Sequence, residues 1–184
     1  PSALYDFGIE TGRQLRSARH AVAAAMGAEP DRVFFTSGGT EADNWALFSA
    51  AKRFGKKKKH IITTAIEHHA ILHFMKELES QGYEVTYLQP DNQGRVTLDA
   101  LKAALRKDTI LVSVMMVNNE TGALYDLKSL FALAKQNAPG VVTHCDAVQG
   151  FMKAIFSPAA IGADMLTVSA HKIHGPKGVG ALYV

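Results

Sequence analysis

The sequence holds one cysteine, Cys145, in 184 residues. A single thiol excludes an internal disulfide and fits a reducing, cytoplasmic setting. No apolar run approaches the ~20 residues needed to span a bilayer, so no membrane partner is expected. The opening stretch, PSALYDFGIETGRQLRSARH, lacks the basic segment followed by an apolar run that marks a secretory signal. Aromatics make up only 8% and none interleaves with the lysine run at 56–59. A base-stacking platform is therefore not suggested, and the run reads as a solvated turn rather than a nucleic-acid contact. GxGxxG and GxxxxGK[ST] are both missing, which argues against a nicotinamide-dinucleotide fingerprint and a P-loop. No internal repeat, linker or low-complexity stretch breaks the chain, so a single domain is expected.

What is present is an ordinary globular balance, 47% hydrophobic and 20% charged, on a chain long enough to bury a core. Short β-rich runs occur at RVFFT (32–36), HIITT (60–64), EVTYL (84–88), ILVSVM (110–115), VVTHC (141–145), MLTVS (165–169) and GALYV (180–184). Helical patterns separate most of them: GTEADNWALFSAAKRF, AILHFMKELESQG, TLDALKAALRK with Thr97 as N-cap, and LKSLFALAKQNAPG. The first ~28 residues also read as helix. Strands alternating with helices of this length predict an α/β fold, three layers deep (α/β/α), with a mostly parallel seven-stranded sheet. The last link, AHKIHGPKGV, holds no helix. It is too short for a parallel crossover, so GALYV is expected to run antiparallel.

Ligands of such sheets gather at the carboxyl ends of the strands, so the residues after each strand matter most. Ser37-Gly38-Gly39-Thr40 runs straight into a helix. Glycines permit close approach and the helix start offers free N–H groups, which suits a phosphate; a capping turn is the plainer alternative. His68 follows the second strand run. His69 and His73 stand at i and i+4, but no HExxH frame or third ligand accompanies them, and an exposed helix face explains both without a metal. Asn118 and Asn119 lie together after an apolar strand and need polar partners. Asp146 follows an apolar strand with Gln149 three residues on; it is either a buried carboxylate awaiting a cation or a helix N-cap. Lys172 follows the sixth run. It is either a surface lysine or an amine nucleophile. Taken together, an anion cradle, a histidine, amides, a carboxylate and a lysine match the needs of a phosphorylated aromatic aldehyde.

FTSGGTEADN, EHHAI, VNNETG, DAVQ and SAHKIHGPKGVGALYV resemble the cysteine desulfurases of the NifS/IscS group. These belong to the class V aminotransferase family of fold-type I pyridoxal-phosphate enzymes. The blocks follow the family's order across nearly the whole chain. The resemblance implies that Lys172 carries pyridoxal 5'-phosphate covalently and shuttles protons. Asp146 would pair with the pyridine nitrogen and Gln149 with the phenolic oxygen. His68 would stack on the ring and assist acid–base steps. Gly39, Thr40, Ser169 and His171 would hold the phosphate, and Asn119 would lie near the phenolic oxygen and the substrate carboxylate.

The resemblance further implies L-cysteine as substrate, alanine as product, and sulfur passed through an enzyme persulfide to iron–sulfur cluster or thio-cofactor synthesis. It implies a homodimer and a sulfur-acceptor or scaffold protein as partners. A selenocysteine lyase, another class V lyase or transaminase, or a cofactor-binding domain inactive on its own are the alternatives. The family's nucleophilic cysteine, its substrate-carboxylate arginine and its opening strand segment find no match here. Residues 1–184 are therefore expected to be the cofactor-binding large domain of a longer enzyme, inactive alone, and Cys145 does not match the nucleophile.

Overall fold

The computed structural model describes residues 4–54 and 59–184. Lys56, Lys57 and Lys58, with the reading of their run as a solvated turn, lie outside the described residues.

The chain begins with helix α1 (Asp6–Met26), which Gly27 ends in a left-handed conformation at φ 65°. Then strands and helices alternate: β1 (Val33–Thr36), α2 (Gly39–Phe54), β2 (His60–Thr64), α3 (His69–Ser80), β3 (Glu84–Leu88), α4 (Leu98–Ala104), β4 (Thr109–Ser113), α5 (Leu127–Asn137), β5 (Val142–Asp146), α6 (Pro158–Ile161), β6 (Met165–Ser169) and β7 (Gly180–Tyr183). Thr97 caps α4 as expected, its hydroxyl accepting from the Ala100 N–H at 3.2 Å. That helix ends earlier than its pattern suggested. Leu105 is already extended, and the Arg106 side chain turns to Asp108 and Glu84.

The seven strands form one sheet in the order β1-β7-β6-β5-β4-β2-β3. Strands β2 to β6 pair in parallel, while β7 runs antiparallel to both neighbours, β1 and β6. Side chains alternate between the two faces of each strand. Ile61, Leu111, Met165 and Leu182 face a core built with α2 and α3. Ile62, Val112, Leu166, Ala181 and Tyr183 face the opposite core with α1, α4 and α5. Two apolar layers around one sheet explain why β2, β4 and β6 are buried along their whole length.

The pairing has a consequence for placement. Gly180 faces Thr36 on one side and Ser169 on the other. The carboxyl ends of β1 and β6 therefore lie at the same edge, two strands apart, beside those of β5, β4 and β2. Among the described residues, no helix is long and apolar enough to cross a membrane, and no cluster of three His, Cys, Asp or Glu could hold a metal ion.

Candidate functional site

The nine residues that the resemblance assigns to the site line one cavity of about 220 Å³ at that edge: Gly39, Thr40, His68, Asn119, Asp146, Gln149, Ser169, His171 and Lys172. Asp43, Met115, Val117 and Val148 complete its lining.

One end of the cavity is the amino terminus of α2. The first N–H groups of a helix have no acceptor within it, so those of Gly39 and Thr40 are available to an anion. A Cβ on Gly39 would stand 2.8 Å from Val148 Cγ2 and 3.6 Å from Ser169 Cβ, so only glycine lets this backbone lie against β5 and β6. Ser169, at the end of β6, shares a hydrogen bond of 2.8 Å with His171 Nδ1. The Ser37 N–H is already taken by the Glu41 carboxylate at 2.5 Å. Lys177, which the sequence reading passed over, adds a cation beside Thr40, Ser169 and His171.

Two buried carboxylates, Asp146 and Asp43, also line the cavity. Asp146 is buried at the end of β5, and its Oδ1 accepts from the Val148 N–H at 2.9 Å. The side chain thus closes a short turn within a non-helical segment, and the helix N-cap alternative does not apply. Burial raises its pKa to about 6, against the opposing bond from Val148. Asp43, on α2, is also buried and is pushed well above the ordinary carboxylate range by burial and by Asp146. Its Oδ1 lies 3.6 Å from Nε2 of buried His144 and has no hydrogen-bond partner among the described residues. This pair has the spacing of an ion contact, but burial drives the His144 pKa down to about 3. Desolvation holds acid and base alike in their neutral forms.

The walls are built from the turns after β2 and β4. His68 caps α3, with Nδ1 accepting from the Ala70 N–H at 3.2 Å. The proton of the neutral ring therefore resides on Nε2. Burial first, then His69 and Lys172, lowers its pKa. Lys172 lines the same cavity as this imidazole. His69 and His73 lie exposed on α3 with rings 5.4 Å apart, away from the cavity lining. Asn118 is buried and bonded to Ile66 O, Glu120 N–H and Thr121 N–H, so it serves the loop, while Asn119 is exposed to the cavity. Lys172 sits on a single 3₁₀ turn (Ala170–Ile173) directly after β6.

The sequence reading missed Asp43, Glu67, Asn118's bracing role and His144. Asp43 carried a signal. It shares the core-facing stripe of α2 with Ala46, Leu47 and Ala50, where a charge is out of place. Glu67 carried a weaker one, a carboxylate at a strand end ahead of two histidines.

The residues fit pyridoxal 5'-phosphate on the geometry of the chain itself. Gly39 leaves room at an N–H cradle for the phosphate, buried Asp146 has no cation paired with it among the described residues, and Lys172 and His68 line the same cavity. The Aminotransferase class-V family matches residues 1–184. A cysteine desulfurase IscS of Clostridium botulinum (strain Kyoto / Type A2) is 47% identical over 184 residues, spanning 100% of this chain and 46% of that relative. A solved NifS-like protein superposes with a TM-score of 0.96 at 41% identity, over 99% of this chain and 50% of that one. SspA, solved in complex with cysteine, gives a TM-score of 0.95 at 35% identity, over 100% of this chain and 52% of its own. The chain thus spans about half the length of the curated relatives it matches. Matched from end to end, and carrying that family's motif blocks around one cavity, the chain belongs to the aminotransferase class-V family.

Proposed function

We propose that residues 1–184 are the cofactor-binding large domain of a pyridoxal-phosphate-dependent cysteine desulfurase. The observation that carries this reading is the gathering, around one cavity, of the α2 amino terminus, buried Asp146, Lys172 and His68. The substrate assignment is supported by kinship to proteins named cysteine desulfurase and by a relative solved with cysteine. The overall reaction would be L-cysteine plus a thiol giving L-alanine plus that thiol's persulfide. One C–S bond breaks and one S–S bond forms, and the hydrogen lost from the thiol balances the hydrogen gained at the alanine methyl group.

Bound through its aldehyde to an amine, pyridoxal phosphate supplies an electron sink for charge developing at an amino acid's α-carbon. The chain supplies the rest. The Gly39 and Thr40 amides, the Thr40 and Ser169 hydroxyls and His171 would hold the phosphate. Asp146, deprived of water, would gain the cation it lacks at the pyridine nitrogen and ionise there. The Gln149 and Asn119 amides would bond the phenolic oxygen. Lys172 would move a proton at the substrate α-carbon through Nζ, and His68 would exchange one at Nε2 near the breaking C–S bond. A second copy of the chain and a sulfur-accepting protein are the partners this reading implies. Its single, buried thiol suits the cytoplasm.

Reduction with borohydride after incubation with pyridoxal phosphate, followed by peptide mapping, tests the site. The expected result is one pyridoxyl adduct on the peptide holding Lys172, absent from Lys172→Ala. Adducts scattered over surface lysines, unchanged by that substitution, overturn the reading.

A further inference from the structure

Two buried polar side chains stand behind the wall that carries His68 and Asn119. Glu67 precedes His68, and its Oε1 accepts from the Thr64 hydroxyl at 2.7 Å and from the Met115 N–H beyond β4 at 3.0 Å. Asn118 precedes Asn119 and reaches the other way. Its Nδ2 donates to Ile66 O at 3.0 Å. Its Oδ1 accepts from the Glu120 N–H at 3.0 Å, the Thr121 N–H at 2.9 Å and the Thr121 hydroxyl at 3.1 Å. The turn after β2 and the loop after β4 are thus tied by two side chains crossing in opposite directions. Each tie ends within two residues of a group that lines the cavity.

We propose that Glu67 and Asn118 form a reciprocal brace that fixes His68 and Asn119 against each other across the cavity, Glu67 being the positioning residue for His68. The proposal deepens the cofactor reading and rests on it for its functional meaning. The brace itself is a property of the bare chain.

The charge state of the brace follows from its surroundings. Asp146 at the end of β5, Asp43 on α2, Cys145 within β5 and Tyr125 ahead of α5 all interact with Glu67, while His68 adjoins it and Glu120 shares the cavity behind it. Burial outweighs the two donated hydrogen bonds and pushes the carboxyl up to about 8. Oε2 has no hydrogen-bond partner of either kind among the described residues. Glutamine keeps a carbonyl that accepts both bonds and carries no charge at any pH. Alanine leaves the Met115 N–H and the Thr64 hydroxyl without their acceptor.

The test compares the parent 184-residue chain with Glu67→Gln, Glu67→Ala and Asn118→Ala. Without cofactor, NMR titration reads the His68 ring. Parent and Glu67→Gln are expected to titrate alike, below the ordinary histidine range. Glu67→Ala and Asn118→Ala are expected to move His68 up toward that range as the ring loses its fixed place in the partly exposed wall. Thermal midpoints from pH 5 to pH 9 give a second reading. A carboxyl with a raised pKa loses stability as pH climbs through its folded value. The advantage of Glu67→Gln over the parent should therefore grow with pH. With pyridoxal phosphate, the concentration for half-maximal capture at Lys172 should rise about tenfold in Glu67→Ala, as His68 leaves its place. In Glu67→Gln it should stay unchanged.

Identical His68 titration in all four chains overturns the brace, as does a glutamine variant that behaves like alanine. If Glu67→Ala does not fold, Asn118→Ala and Thr64→Val carry the same His68 reading. If even the parent captures nothing at Lys172, the cofactor reading falls, and the His68 titration still judges the brace.

Discussion

His144 shows how one buried residue sets the acid limit of the fold. Its ring is fully buried, bonded through Nδ1 to Ser113 Oγ at 2.9 Å and through Nε2 to Thr167 Oγ1 at 3.1 Å. Burial alone holds its pKa down at about 3. The folded chain therefore keeps the ring neutral where the unfolded chain, titrating near the ordinary value, takes up a proton. Stability is full above the unfolded pKa and is lost as pH falls from about 6.5 toward the folded value, by up to about 1.4 kcal/mol per pH unit. Asp43 and Glu67 act in the opposite sense, since each is neutral in the fold and loses stability as pH rises. The expected outcome for His144→Gln is a loss of about 1–3 kcal/mol at pH 7, from buried hydroxyls left unpaired, with a flatter acid limb. Urea midpoints at pH 4, 5, 6 and 7 check this. Parallel curves for parent and variant would mean that His144 is not the group whose protonation matters.

At the scale of elements, the close contact between β7 and the turn before α2 matters most for the site. A Cβ on Gly180 would stand 2.6, 2.8 and 2.9 Å from the carbonyl carbon, Cα and oxygen of Gly38. All three are backbone atoms, so nothing flexible can swing aside. Gly180 is also the residue that registers β1 against β6, through Thr36 and Ser169. Gly180→Ala must push the Ser37–Thr40 turn away from Ser169 and open the anion cradle. The expected cost is about 1–3 kcal/mol of stability, typical of overpacking, with capture of pyridoxal phosphate at Lys172 weakened in step. Guanidinium denaturation beside the borohydride assay reads both quantities. A variant that loses stability but captures the cofactor as well as the parent would separate the strand contact from the cradle. The alternation of strand and helix was legible in the sequence because a sheet covered on both faces demands continuous apolar strands. The short Gly/Pro link likewise made the antiparallel β7 legible. The placement of β1 beside β7 was not, since pairing Thr36 with Gly180 joins residues at opposite ends of the chain and leaves no local pattern.

Over the whole molecule, the strand-end residues could be read because chemistry at a sheet edge needs recognisable residue types there. Asp43 and Glu67 were harder, because their importance lies in being buried beside Asp146, a fact of three-dimensional packing. The same packing bears on the one thiol. Cys145 is fully buried in β5, and burial together with Asp146, Glu67 and Asp43 drives its pKa well upward. The thiolate is the form that attacks sulfur, and this residue offers neither thiolate nor access. A chain of residues 1–184 supplied with pyridoxal phosphate and L-cysteine is therefore expected to accumulate no protein persulfide. The thiol that accepts sulfur in the proposed reaction must lie outside these residues or on another protein. Native alkylation with iodoacetamide should leave Cys145 unmodified, and alkylation after denaturation should add a single group. Intact-mass analysis after incubation with L-cysteine should show no added sulfur atom. A persulfide found on Cys145 in the native chain would mean that β5 opens far enough to expose it, and that the buried carboxylates around it do not hold the site closed.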